Sequence, residues 1–206
     1  MALPGPTGRR HRPAGAQVTQ AQPSQRMRDL GIVQHGAPIL TTPARTFDLP
    51  AEAAAAEQSI DRLFAAIEDI ARAHTFAKGM GIAAPQIGIA RAAAIVQPPT
   101  AGAPAIVLLN PRITDSSAEG DEQYEGCLSF FDVRGLVPRP LAITVETTAL
   151  NGSTHTTTYQ RGLARLIHHE IDHLEGQLYL TRMRPGVEPL PVDEYRQNGR
   201  AWAYEQ

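Results

Sequence analysis

His169-Glu170-Ile171-Asp172-His173 lies inside residues 162–175, where Leu163, Leu166, Ile167, Ile171 and Leu174 recur at three- and four-residue spacing and Gly176 comes next. That pattern predicts an amphipathic helix whose apolar stripe enters a core and whose end is marked by the glycine. On such a helix the two histidines stand one turn apart, about 40° around the axis, so both imidazoles can reach one ion. Glu170 is turned about 100° from His169, where a carboxylate can take a proton from water at that ion without binding the ion itself. Because Ile171 and Leu174 belong to the stripe, the histidines sit beside the buried face. There an unliganded pair would need other polar partners.

Upstream of this helix the period changes from helical to two, or to short solid apolar runs, at residues 92–96, 105–109 and 141–149. These read as strands. Asn151-Gly152 separates the last of them from residues 154–159, and that dipeptide predicts an antiparallel hairpin with a type I′ turn. Further upstream, Ile60, Leu63, Phe64, Ile67 and Ile70 predict a second amphipathic helix starting near Pro50, with Asp48 as N-cap. Gly79 and Gly81 are read as ending that helix and opening a loop. Strands and helices do not alternate as a doubly wound parallel sheet requires, so the class expected is α+β.

Residues 1–26 are dominated by Pro, Gly, Ala, Gln and Arg, with little apolar surface to offset the entropy of ordering, and are expected to form a disordered tail. Residues 27–190 are taken as one catalytic domain and 191–206 as a C-terminal extension. The net charge of -2 gives none of the positive field that sequence-independent nucleic-acid binding needs. No run approaches the roughly 20 apolar residues that cross a bilayer. A lone cysteine, Cys127, excludes an intrachain disulfide and suits a reducing compartment. A cytoplasmic protein of bacterial type is expected, with organellar import of an arginine-bearing leader as the lesser reading.

Two histidines leave a catalytic metal site one protein ligand short. Cys127, in Glu125-Gly126-Cys127-Leu128-Ser129, is the available thiol, and as a thiolate it suits iron(II) or zinc. A third stretch, Gly79-Met80-Gly81-Ile82-Ala83-Ala84-Pro85-Gln86, has glycines that let a ligand approach the backbone and an amide donor in Gln86. With no Lys-Ser or Lys-Thr after it, it does not read as a phosphate loop.

Together, in this order along the chain, the three stretches resemble the signature motifs of the peptide deformylase family, and the resemblance spans roughly residues 32–180. It implies an α+β fold in which antiparallel sheets surround the central helix carrying the HExxH motif, with a further helix on the N-terminal side. It also implies removal of the formyl group from N-formylmethionyl nascent polypeptides, releasing formate. Cys127, His169 and His173 would then hold one divalent metal ion, natively iron(II) (Fe2+), with Zn2+, Ni2+ or Co2+ found in purified material. A water on that metal would be the nucleophile and Glu170 the general base. The Gln86 side chain and the Leu128 backbone N–H would stabilise the oxyanion, while the peptide would lie extended along Gly79, Met80 and Gly81. Leu166 is a candidate wall of the methionine pocket and equally well an ordinary core residue, and Arg134 matches a family position near the peptide. The expected partner is the N-formylmethionyl peptide, with the ribosome as a further possibility. No direct nucleic-acid or membrane site is expected, and a monomer is.

The chain departs from the family pattern at His168, where glutamine is usual, and at Phe130-Phe131-Asp132, where an aliphatic residue and proline are common. Adjacent helical positions point about 100° apart, which argues against His168 sharing an ion with His169. The phenylalanines are read first as packing and second as altering specificity; Arg134 is equally well accounted for by an ion pair with Asp132. A related amidohydrolase taking another small N-acyl substrate and a binding protein with a structural metal are the competing readings. A conventional HExxH endopeptidase would draw its third ligand from downstream of the motif.

Overall fold

The computed structural model describes residues 22–76 and 78–197. Of the expected tail, residues 1–21 lie outside the described residues, and its last part is corrected: Pro23–Asp29 is a helix, α1, that buries Met27. Ser24 explains the order. Its backbone N–H donates to Asp132 Oδ1 and its Oγ accepts from the Phe131 N–H, both at 2.8 Å.

The second predicted helix is α2, Ala53–Ala73. Its cap differs from the expectation: Glu52 occupies the N-cap position, and Asp48 instead offers its carbonyl to the Glu52 N–H. The glycines do not end it either, since His74 does. They belong to the next element, a strand, β1 (Met80–Ala83), which Gly79 adjoins and which contains Gly81.

β1, β2 (Ala93–Gln97) and β3 (Ile106–Leu109) form an antiparallel sheet in that order, so one edge of β1 is unpaired within it. Both faces of this sheet are covered, which is why β2 reads as an unbroken apolar run. Ala93 and Ile95 pack with Leu63, Ile67 and Ile70 of α2. Ala94 and Val96 pack on the opposite face with Ile167 and Ile171 of the HExxH helix, α3 (Arg161–Leu174).

A second antiparallel sheet joins β4 (Arg112–Ser116), β7 (Ala142–Thr148) and β8 (Thr154–Gln160), with Ile143 and Val145 facing α3. The third joins β5 (Gly120–Glu125), β6 (Val133–Pro140) and β9 (Leu190–Pro191). A short helix, α4 (Val192–Gln197), lies within the expected extension, and residues 198–206 lie outside the described residues. The fold is α+β, with antiparallel sheets around α3, as expected.

The β7–β8 hairpin is present, but its turn is not type I′. Gly152 has φ of 85°, whereas Asn151 does not take positive φ. The Gly152 N–H donates to Ala149 O and the Ala149 N–H to Ser153 O, which makes a three-residue connection closed by glycine. Among the described residues, no helix is long and apolar enough to cross a membrane.

Candidate metal centre and active site

α3 delivers both histidines from its packed side: His169, Glu170, Asp172 and His173 are all buried. Cys127 arrives from the other direction, at the end of the segment leaving β5, where a 3-10 turn (Leu128–Phe130) begins. The donor atoms of Cys127, His169 and His173 lie within 4.8 Å of one another, with Cys127 Sγ 3.2 Å from His173 Nε2. His169 engages Glu125 Oε2 through Nδ1 at 2.9 Å, which leaves Nε2 as the nitrogen available for an ion.

The charges of these groups are coupled. Burial alone would hold the Cys127 thiol neutral, yet His173 and His169 bring it down to about 5. Burial likewise opposes a charged His169, but Cys127 and Glu125 raise it well above the ordinary histidine range. A buried thiolate facing imidazole nitrogens is a donor set suited to a soft divalent cation. The residues fit such an ion on a second count: Glu170 Oε2 is buried beside them with no hydrogen-bond partner, as a group is that faces chemistry in a working site.

Glu170 is pushed up to about 7, chiefly by burial, against the pull of His169 and His173. Gly81 makes its position available. A Cβ on Gly81 would stand 2.3 Å from Glu170 Oε1 and 2.6 Å from its Cδ. The other motif residues converge here too. Gln86 accepts the Ala83 N–H on Oε1 at 2.9 Å, which aims Nε2 at Ser129 Oγ (3.2 Å) and Cys127 Sγ (3.5 Å). Leu128 opens the 3-10 turn, and N–H groups at a helical start are left over for other acceptors. Leu166 stands beside Gly79, with Cδ1 3.1 Å from where a Cβ would be.

These residues border a cleft of about 300 Å³, to which Gly79, Met80, Gly81, Leu166 and Arg134 all contribute. Arg134 does not pair with Asp132. Its Nη1 donates to the carbonyls of Phe131 and Val133, its guanidinium lies against Gly126, and it stacks 4.9 Å from the Phe131 ring centroid. The phenylalanines split in role: Phe130 packs on Tyr179, while Phe131 borders the cleft. His168 stands apart from the ligand set, 3.8 Å from Asp172, held down to about 4 mainly by burial.

Sequence reasoning gave no role to the support beneath the site. Arg139 of β6 donates Nε and Nη2 to the two oxygens of Glu125 and Nη1 to Asp172 Oδ2, at 2.6–2.9 Å. Arg165 donates to Glu125 Oε1 and Asp121 Oδ1, and Arg182 to Asp172 Oδ1. Glu125 is buried, which disfavours its charge, but Arg139 and His169 hold it ionised, well below the usual carboxylate range. Glu125 and Asp172 lie inside the quoted motifs, so the signal was there. Their arginines lie outside the motifs and nothing local marks them.

Residues 30–188 match the family model described as polypeptide deformylase. Peptide deformylase 2 of Nostoc sp. is 35% identical over 175 residues, covering 82% of this chain and 93% of that one. A Met-Ala-Ser-bound crystal structure of a class I type b peptide deformylase from Acinetobacter baumannii superposes with a TM-score of 0.61 at 33% identity, covering 74% of this chain and 96% of that one. A peptide deformylase 1B from Arabidopsis thaliana, solved with an inhibitor, gives 0.66 at 30% identity, covering 81% and 86%. A match over so much of the sequence, on a fold that gathers all three motifs at one cleft, places this chain in the polypeptide deformylase family.

Proposed function

We propose that this chain hydrolyses the formyl amide of N-formylmethionyl polypeptides, releasing formate and a free α-amine. The observation that carries the reading is Glu170: a buried carboxylate, pushed up to about 7, with one oxygen unpartnered beside the Cys127, His169 and His173 donors. Those three residues would hold a divalent cation, natively iron(II), which when bound would acidify water and polarise the formyl oxygen.

Glu170 accepts a proton from water as its oxygen attacks the formyl carbon. The Gln86 Nε2 donor and the Leu128 N–H meet the charge that develops on the formyl oxygen, and the bond from Ala83 to Gln86 Oε1 keeps that amide oriented beforehand. As the C–N bond breaks, Glu170 returns the proton to the departing nitrogen. Glu125 holds the His169 ring in place throughout. The peptide lies extended along the unpaired edge of β1, with the methionine side chain toward Leu166.

The reading carries with it a monomeric cytoplasmic enzyme that meets nascent chains at the ribosome. Formate release from formyl-Met-Ala-Ser by iron-loaded protein tests it. Turnover is expected, with Glu170→Ala retaining metal and losing about 100-fold or more of kcat. Negligible formate from this peptide, with release from other N-acyl substrates, would replace deformylation by a related amidohydrolase activity.

A further inference from the structure

We infer that the residue after the methionine is selected by an aromatic cluster made of His74, Phe76 and Phe131, and that this enzyme favours large apolar or aromatic side chains at that second position. The inference rests on the deformylase reading and names a determinant of its substrate class.

Alternation along β1 points to it. The Cα hydrogens of Gly79 and Gly81 take the side facing α3, where an added Cβ would meet Leu166 and Glu170 respectively, and Ala83 packs with that helix. Met80 and Ile82 face the opposite way, into the core shared with α2. A peptide paired to the free edge of β1 must obey the same alternation, because side chains at facing positions of neighbouring strands share a face. If the methionine points toward Leu166 and α3, the next side chain points toward the α2 side of the cleft.

The α2 side of the cleft is aromatic. His74 caps α2, Phe76 lies two residues beyond it, and Phe131 comes from the segment after the Cys127 turn. The three rings contact one another, with centroids 4.5 Å apart for His74 and Phe76, 5.1 Å for His74 and Phe131, and 6.0 Å for Phe76 and Phe131. All three border the cleft, and Phe76 and Phe131 belong to the same core as Met80. Arg134 covers a face of Phe131 and fixes that ring. Rings arranged edge to face present an apolar surface that takes another ring or a branched aliphatic chain. Burial of His74, helped by nearby arginines, keeps its imidazole toward the neutral form, so the three rings carry no charge of their own, with Lys78 and Arg134 bordering the same cleft.

The test is a series formyl-Met-Xaa-Ser with Xaa as Phe, Leu, Ala or Asp, assayed on the full-length iron-loaded enzyme. kcat/KM is expected to be about tenfold or more higher for Phe than for Asp, and the Phe76→Ala variant should bring that ratio within about threefold. Equal values across the series would overturn the inference, as would a preference for Asp read by Arg134. Retention of the full Phe preference in both Phe76→Ala and His74→Ala would also overturn it. The wild-type series stands alone if a variant fails to fold. Absence of formate from every member would count against deformylation itself, a different failure from uniform turnover.

Discussion

At the residue scale, Gly81 and Glu170 are bound to each other by space. Gly81→Ala would put a methyl group within 2.3 Å of the carboxylate and force it to move, and a shift of about 1 Å at a catalytic base costs on the order of 100-fold. The expected result is a fall in kcat with metal content intact. Gln86→Ala should lower kcat by about 100-fold and change KM less, since its amide meets charge that develops only during reaction. Glu170 also sets a pH limb. As base it must be ionised, so kcat/KM should fall with decreasing pH along a limb at or below about 7, because a bound cation adds to the pull of the imidazoles. In metal-free protein the sign for stability is opposite. The folded-state pKa is raised from 4.5 to about 7, so the fold loses up to about 3 kcal/mol as pH rises through that interval, and Glu170→Gln should raise the melting temperature at pH 8 but not at pH 4. The ligands and base were readable because chemistry concentrates in short motifs. The Arg134–Asp132 pairing failed because the guanidinium is engaged by the Phe131 and Val133 carbonyls and by the Phe131 ring, contacts that only the folded loop supplies.

At the scale of elements, Arg139 joins β6 to β5 through Glu125 and to α3 through Asp172. Arg139→Met would leave two buried carboxylates without their main counter-charge, and urea unfolding is expected to show a loss of about 3–5 kcal/mol. Glu125→Gln should retain the fold better while weakening metal affinity about 10- to 100-fold, measured by competition with a chelator, because His169 loses its charged orienting partner. The two long helices, α2 and α3, and the apolar strands were legible from periodicity. β5 and β6 were not: Asp121, Glu122, Pro138 and Pro140 lie in paired positions that composition disfavours. Their pairing is set by what they enclose, the Glu125 and Arg139 network, and that is a tertiary property. β1 was hidden for a similar reason, as Gly81 is in the strand to make room for Glu170 and leaves no side chain to mark it.

Across the whole molecule, the path of the chain brings a loop between two strands against a helix more than thirty residues later, and only the assembled fold makes these a single site. The order of motifs pointed to that meeting; the contacts of α1 with it had no trace in the sequence. Ser24 holds both the amide of Phe131 and the carboxylate of Asp132, directly behind the turn that carries Leu128 and just after the sulfur ligand. The short helix α1 thus acts as a latch on the reactive loop. Trimming the chain to start at residue 31 would release that latch, and the harm would appear first as slower turnover and easier proteolysis around Phe131, well before global unfolding.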